Sequence, residues 1–253
     1  NFDCSDVGPN NVTLTASDQS GNASSASAVV TVVDTVSPVA QLNNVTVSLD
    51  TSGTATVTGA DFNNGSSDAC GVNTLTVTPA SFGCSDLGTN TVSVTVTDVN
   101  GNSTTVPAVV TVIDNTAPTV STQNTIVYLD ASGSATVTVA DINNGSSDNC
   151  SVAASALSAT SFDCTDIGQN PVTLTVTDGA GNSASATAIV IVRDTLSPSI
   201  SNLPANIVVP ASSSSCGANI SWPAINATDN CSGVTVATSI PNGSFFGIGT
   251  TTV

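Results

Sequence analysis

The sequence predicts an all-β protein, an end-to-end array of tandem immunoglobulin-like antiparallel β-sandwich domains. Three observations support this prediction. The 253 residues include 19 Gly and 11 Pro but only 3% aromatic side chains, a composition that favours strands joined by turns. Short runs such as 92–96 alternate apolar and polar residues with the period of a half-buried strand. The chain also repeats itself after 80 residues, which is typical of an array of similar domains.

The internal repeat sets the predicted domain boundaries. Matching segments begin at Cys4, Cys84 and Cys164, and residues 63–70 recur almost unchanged as residues 143–150. A linker in which Asp precedes Pro by four residues follows the last apolar strand of each repeat. The predicted parts are the C-terminal part of a repeat (1–35), two complete repeats (36–115 and 116–195) and a fourth domain without its last strands (196–253).

Within one repeat the strand signals follow the order expected for a small sandwich. The predicted elements are a first strand (118–129), a turn (130–133), a second strand (134–140), a polar loop (141–150) and a hairpin whose strands (172–177 and 186–192) flank the turn 178–182. Short alternating strands in a domain of this size favour an immunoglobulin-type sandwich.

The charged residues exclude several classes of function. The chain contains 18 acidic side chains, all of them Asp, no His, and a single basic residue, Arg193, which gives a net charge of -17. Such a charge repels phosphate backbones and anionic lipids, so we expect neither nucleic-acid binding nor docking to a membrane surface. Without His or Lys the chain lacks the most frequent catalytic bases and amine nucleophiles, so we expect no enzyme. No apolar stretch has the length that membrane insertion needs.

The cysteines indicate an oxidising compartment outside the cytoplasm. Each complete repeat contains two of them at the same spacing, Cys70 with Cys84 and Cys150 with Cys164. Their recurrence predicts a local disulfide in each repeat, closing a loop of about 14 residues that contributes on the order of 3 kcal/mol. Structural zinc is the alternative, but two thiolates without His fall short of the four ligands of such a site.

The Asp residues recur at fixed positions of the repeat, mostly in predicted loops. In a sandwich of this type the chain enters a domain at the end that carries the polar loop and the hairpin turn. The residues expected to face one another there are the linker Asp114, with Asp86, and Asp141, Asp148 and Asp178 of the following repeat. Clustered carboxylates, Asn side chains and carbonyls suit a hard cation with six to eight oxygen ligands, which is Ca²⁺ more than Mg²⁺. The candidate ligands along the chain are Asp34, Asp61, Asp68, Asp86, Asp98, Asp114, Asp141, Asp148, Asp178, Asp194 and Asp229.

A simpler interpretation of the same residues also stands. Asp, Asn and Gly are ordinary turn residues, because a carboxylate accepts hydrogen bonds from nearby backbone N–H groups without any metal. For Asp50-Thr-Ser-Gly53 we expect only this role.

The last domain contains four segments, 203–209, 216–222, 227–232 and 243–253, that resemble the hyalin-repeat (HYR) module, an immunoglobulin-like domain. The preceding repeats, with Asp-x-x-Gly-Asn turns and Asp-Asn-Thr-Ala-Pro linkers, resemble tandem modules of giant surface adhesins of Bacteroidetes, including the gliding-motility type. This resemblance implies an extracellular filament or adhesin stalk at the cell surface or secreted from it.

The last domain departs from its neighbours in its cysteines. Phenylalanines stand in the region that corresponds to Cys164, so the pairing of Cys216 and Cys231, with each other or with a cysteine beyond this sequence, stays open. Cys4 is expected to pair with a cysteine that precedes this sequence.

Three functions are compatible with these features. The favoured one is a structural stalk, stiffened by disulfides and calcium, whose partners are neighbouring domains of the same chain and other copies in a fibre. The alternatives are repeats that themselves bind polysaccharide or host protein, and accessory modules of a secreted polysaccharide-degrading enzyme. Thr35 and Thr195, each between an Asp and an apolar residue, also resemble O-glycosylation signals of Bacteroidetes.

Overall fold

The computed structural model describes residues 1–252, which form eighteen strands, two one-turn α-helices and three short 3-10 turns. The prediction of an all-β chain of tandem immunoglobulin-like sandwiches is confirmed. The strands are β1 (Gly8–Ser17), β2 (Ala23–Val32), β3 (Val45–Ser48), β4 (Thr54–Thr56), β5 (Val72–Thr78), β6 (Ser81–Gly83), β7 (Gly88–Asp98), β8 (Ser103–Ile113), β9 (Thr125–Tyr128), β10 (Ser134–Thr136), β11 (Val152–Leu157), β12 (Ser161–Asp163), β13 (Gly168–Asp178), β14 (Ser183–Arg193), β15 (Ser199–Ser201), β16 (Gly217–Asn219), β17 (Asn226–Thr228) and β18 (Phe245–Gly247). The helices are α1 (Gly59–Phe62) and α2 (Val139–Ile142), and the 3-10 turns are Cys4–Asp6, Cys84–Asp86 and Cys164–Asp166.

The chain divides into two compact units. The first contains Asn1–Ala117 together with two loops from later in the sequence, Asp148–Ser151 and Asp178–Asn182. The second contains Pro118–Ser147, Val152–Thr177 and the chain from Ser183 onward.

In the first unit a four-stranded sheet with the order β3-β8-β7-β5 is accompanied by the pair β4-β6, and β1 pairs with β2. The hairpins β1–β2 and β7–β8 are antiparallel, but the first strand β3 runs parallel to β8, from Val45 opposite Val110 to Ser48 opposite Ile113. The predicted sandwich is therefore antiparallel except for one parallel pair, because the first strand of the repeat joins the last one.

The core of this unit follows directly from the alternation in the sequence. Along β7 the side chains of Val92, Val94 and Val96 are fully buried, whereas the intervening Ser and Thr side chains face outward. Successive strand residues point to opposite faces, so this period of two places one row of valines inside. Phe62 at the end of α1 is also fully buried and packs in the same cluster.

The second unit repeats this arrangement in its first part. Its sheets are β11-β13-β14-β9, β10-β12, β15-β17 and β16-β18. The predicted hairpin around 178–182 is confirmed, since β13 and β14 pair antiparallel up to Thr177 opposite Ser183. β9 again runs parallel to the last strand of its sheet, and Ile142 takes the buried position that Phe62 has in the first unit.

The predicted second strand, residues 134–140, is only partly a strand. β10 ends at Thr136, and Val139–Ile142 form the helix α2. The helix begins where Asp141 accepts hydrogen bonds from the backbone and side chain of Thr138, a reciprocal cap of the kind that starts helices. Among residues 1–252, no helix has the length and apolar character needed to cross a bilayer.

Candidate metal centre and disulfide network

Three disulfides link cysteines that lie about one repeat apart. They join Cys4 to Cys70, Cys84 to Cys150 and Cys164 to Cys231, with sequence separations of 66, 66 and 67 residues. The predicted local pairs Cys70–Cys84 and Cys150–Cys164 are wrong, although all four of these cysteines do form disulfides. The prediction that Cys4 pairs outside this sequence is also wrong.

Strand direction explains the correction. Cys70 precedes β5 and Cys84 follows β6, and the seven residues of β5 alone extend over ~23 Å. A disulfide requires Cα atoms within about 7 Å of each other, and the Cα atoms of Cys84 and Cys150 are 5.4 Å apart. The 3-10 turn that begins at Cys84 therefore connects to the loop of the following repeat. The open question of the last domain is answered too, since Cys231 pairs with Cys164 and Cys216 is an exposed free thiol.

Beside the Cys84–Cys150 disulfide the structure groups three carboxylates. Asp114, Asp148 and Asp178 each place a side-chain oxygen so that the three atoms lie within 4.8 Å of one another. We call this group the Asp114 site. Asp114 follows β8, Asp148 precedes the disulfide-bonded Cys150, and Asp178 ends β13. Asp114 is 6% exposed and Asp178 is 3% exposed, so two of the three carboxylates are buried.

Local hydrogen bonds satisfy only part of this site. The Oδ1 atom of Asp178 accepts hydrogen bonds from the backbone of Ala180, Gly181 and Asn182, at 2.7 to 2.9 Å. In contrast, Asp114 Oδ2 and Asp148 Oδ1 are buried without a hydrogen-bond partner. Buried polar atoms normally have hydrogen-bond partners, so these two oxygens indicate a position for an ion or a water molecule.

Two asparagines hold the elements of the Asp114 site together. Asn149 Nδ2 donates to the backbone oxygen of Asp50 at 2.9 Å and to Asp114 Oδ1 at 3.4 Å. Asn182 Nδ2 donates to the backbone oxygen of Asp114 at 3.1 Å and to Asp178 Oδ2 at 2.8 Å. The side-chain oxygen of Asn149 is itself buried without a partner. The two amides therefore fix the linker against both loops.

The turn around Asp178 keeps its carboxylate ionised. Burial by itself raises the pKa of Asp178, but hydrogen bonds from the Asn182 side chain and from the backbone of the turn outweigh burial and leave the pKa below its ordinary value. Asp98 occupies the same position one repeat earlier and shows the same balance between burial and the hydrogen bonds of Asn102. An anionic side chain at this position suits a cation nearby.

A related group lies at the preceding linker. Asp34, Asp68 and Cys70 place ligand atoms within 4.8 Å of one another, but Cys70 is in a disulfide, so two carboxylates remain. The Oδ2 atom of Asp34 is buried without a partner, and Asn102 Nδ2 donates to the Asp34 backbone oxygen at 3.3 Å. We call this pair of carboxylates the Asp34 site. Here Ala69 stands where the Asp114 site has Asn149.

The third linker preserves the asparagine contacts. Asn230 Nδ2 donates to the backbone oxygen of Asp130 at 3.1 Å and to Asp194 Oδ1 at 3.2 Å, and Asn230 Oδ1 is buried without a partner. Within residues 1–252, Asp194 and Asp229 do not belong to a group of three ligand-bearing side chains.

Three candidate ligands have local roles instead. Asp61 Oδ2 accepts from the backbone of Thr58 at the start of α1, and Asp86 Oδ2 accepts from the backbone of Gly83. Asp141 caps α2 through Thr138. Among the described residues, Asp86 and Asp141 do not belong to the group formed by Asp114, Asp148 and Asp178, and short helical turns engage both carboxylates, so their role as ligands stays a prediction. The turn role expected for Asp50 agrees with the structure, where its Oδ1 accepts from Ser52 and Thr54 and its pKa is lowered to about 2.

The asparagine of the Asp-Asn-Cys segments, which contacts the linker carboxylates Asp114 and Asp194, was not among the residues predicted from the sequence. Its signal was present, because Asn precedes Cys150 and Cys231 but Ala precedes Cys70. Thr35 and Thr195 are both exposed. The backbone N–H of Val36 donates to the Asp34 carboxylate, and that of Leu196 donates to the Asp194 carboxylate. Their glycosylation stays a prediction.

Comparisons with known proteins agree with the repeat type. Residues 193–253 match the family model of the HYR domain. The chain is similar to "Hyalin" of Strongylocentrotus purpuratus, with 30% identity over 259 residues that cover 96% of this chain and 21% of that protein. The chain thus spans about a fifth of the length of this relative. Both matches support a repeat of the HYR, immunoglobulin-like type.

The comparison with solved structures found similarity to structures of cadherins. Protocadherin Gamma B7 domains 1–4 align with a TM-score of 0.35 and 13% identity, covering 91% of this chain and 68% of theirs. Mouse Cadherin-23 EC22-24 aligns with a TM-score of 0.33 and 13% identity, covering 77% of each chain.

Proposed function

We propose that the chain is a structural, non-enzymatic segment of an extracellular adhesion-type protein, in which disulfides and calcium ions fix successive repeats to one another. The HYR match, the similarity to hyalin and the three disulfides support an extracellular, adhesion-type repeat. The stalk role, the calcium ions and an origin in a bacterial surface adhesin are the finer parts of this proposal.

The observation that carries the calcium proposal is the pair of buried, unpartnered oxygens at the Asp114 site. Asp114 Oδ2 and Asp148 Oδ1 have no donor. Asp114, Asp148 and Asp178 each place one carboxylate oxygen so that the three atoms lie within 4.8 Å of one another. Buried like charges repel one another unless they are neutralised. The only basic side chain of the sequence, Arg193, is exposed at the end of β14. A bound cation therefore accounts for the arrangement.

The donor set selects the type of cation. Asp114, Asp148 and Asp178 offer carboxylate oxygens, and the unpartnered Oδ1 of Asn149 is a further oxygen of the same segment. A set of oxygens without His or free thiolate suits a hard cation, and mixed carboxylate and amide ligands from flexible loops are typical of Ca²⁺. When bound, the ion would supply positive charge that cancels the repulsion and ties the linker to both loops. The Asp34 site offers fewer ligands, so we expect weaker binding there.

The substitution Asp114→Asn tests this proposal. It removes the charge but retains Oδ1, which accepts from Thr116 and Asn149 in the wild type. With chelator the variant should be as stable as the wild type or more stable, because repulsion is relieved. With calcium the wild type should gain about 2.7 kcal/mol at a hundredfold excess over Kd, and the variant much less. The measurement is thermal unfolding with and without calcium, together with calorimetric titration.

The matched control is Asp141→Asn, since Asp141 was also a sequence candidate but its carboxylate caps α2. This variant should retain the full response to calcium. Equal melting temperatures of the wild type with calcium and with chelator would remove the ion from the proposal. An equal increase in thermal stability with magnesium would contradict the preference for calcium.

A further inference from the structure

The three disulfides close three loops that follow one another without overlap. The loops run from Cys4 to Cys70, from Cys84 to Cys150 and from Cys164 to Cys231. Between them only two stretches of backbone lie outside a closed loop, 70–84 and 150–164. A covalent path from Cys4 to Cys231 can therefore follow these two stretches and the three disulfides.

We infer that the chain is a nearly inextensible tether, in which tension applied to its two ends follows this covalent path and leaves the rest of the repeats without load. Once the chain is drawn taut, tension is carried by the shortest covalent connection between the points where it is applied. Each disulfide is such a connection, because the backbone of its loop is longer by more than sixty residues. The loop backbone stays slack however large the force, until a disulfide breaks.

The two stretches that carry the tension have little length to release. Residues 70–84 contain β5 and β6, and residues 150–164 contain β11 and β12. Strand residues already advance by about 3.3 Å each, close to the limit of 3.3–3.6 Å for a fully extended chain. Each stretch of about 14 residues spans at most about 50 Å, so the two together reach about 100 Å.

Most of the hydrophobic core lies off this path. In the first unit Phe62 belongs to the loop closed by Cys4–Cys70, and Val92, Val94 and Val110 belong to the loop closed by Cys84–Cys150. Most of the core is therefore assembled from residues outside the stretches under tension, and Phe82 is the buried core residue of this unit that lies on the path. A stalk built in this way keeps its packing under loads that extend chains without such disulfides.

This inference rests on the disulfide pairing and adds a mechanical property to the stalk role proposed above, independently of calcium. Single-molecule stretching of the whole chain, with handles at its two ends, tests it. In the oxidised chain the distance between Cys4 and Cys231 should be limited to about 100 Å at high force, whereas after reduction the 227 residues between them should reach about 800 Å. The disulfides are reduced while the wild-type chain is held between the handles. The oxidised and reduced states of one chain are then compared, and no variant has to fold.

A double variant gives a quantitative check. Cys84→Ser with Cys150→Ser opens one loop of 66 residues and should add about 230 Å to the maximal extension. Cys216→Ser, at the free thiol, should add nothing. An oxidised chain that extends by several hundred Å would overturn the inference. Such an extension would fit the local pairs Cys70–Cys84 and Cys150–Cys164, which would shorten the maximal extension by only about 100 Å. Repeating the stretch with chelator should leave the limit unchanged, so failure of the calcium proposal and failure of this inference give different results.

Discussion

Gly53 lies directly against Asn149: a Cβ atom on Gly53 would come within 2.6 Å of the Asn149 backbone oxygen and 2.9 Å of Cys84 Sγ. The same relationship recurs between Gly133 and Asn230, at 2.8 Å, beside Cys164. Both glycines also have positive φ angles, +74° and +75°. The turn that carries Gly53 and the loop that carries Asn149 thus approach so closely that a side chain at this glycine is excluded.

The substitution Gly53→Ala should therefore destabilise the chain more than its backbone angle alone explains. We expect a loss of about 2–4 kcal/mol from strain and overpacking together, and slower formation of the Cys84–Cys150 disulfide. Urea unfolding and thiol labelling measure the two effects. The matched control is Gly65→Ala, because Gly65 has φ +88° but its nearest neighbour would be 3.9 Å away. Equal losses for the two variants would show that crowding against Asn149 has no effect.

Asn149 is predicted to contribute through its two hydrogen bonds to the Asp50 backbone and the Asp114 carboxylate. Asn149→Ala should lower the free energy of unfolding by about 1–2 kcal/mol, because it removes both bonds from a partly buried position. Ala69 occupies the position equivalent to Asn149 in the preceding repeat. The reverse substitution, Ala69→Asn, should therefore stabilise the chain. Asn115→Ala serves as control, since this exposed side chain makes only a 3.3 Å contact with Ser48 and should change stability by less than about 0.5 kcal/mol.

Asp141 predicts a pH dependence of stability. Hydrogen bonds from the Thr138 side chain and backbone hold the pKa of Asp141 below its ordinary value of 3.8. A carboxylate whose pKa is lower in the folded state stabilises the fold fully above its unfolded pKa, and this contribution is lost as the pH falls through the folded pKa. The difference in urea midpoint between the wild type and Asp141→Asn should therefore be largest near neutral pH and shrink below about pH 4. A difference that stays constant down to about pH 2 would contradict this account.

The sequence allowed the fold and part of the candidate site to be predicted. The period of two in Val92–Val96 identified a strand with one buried face. The expected position of the linker and loops at one end of the sandwich brought together Asp114, Asp148 and Asp178, which the structure groups, but it also included Asp86 and Asp141, which the structure leaves outside that group. The parallel pairing of β3 with β8 was not predictable from alternation, which is the same for both strand directions. Local propensity likewise could not show that Asp141 caps a single turn of helix.

The disulfide pairing was missed for a different reason. Cysteines that recur in every repeat have the same register whether they pair within a repeat or across to the next, so periodicity carries no information on the partner. The direction of β5 decides the matter, because it separates Cys70 from Cys84 by the length of a strand. The covalent link between successive repeats is therefore a property of the fold.

The most direct test of this link is peptide mapping of the unreduced protein. With one Arg and no Lys, the chain is best cleaved on the N-terminal side of Asp, which places Cys70 and Cys84 together on peptide 68–85. We expect this peptide to be cross-linked to one that contains Cys4 and to one that contains Cys150. Recovery of peptide 68–85 alone, with an internal disulfide, would contradict the covalent link on which the account depends.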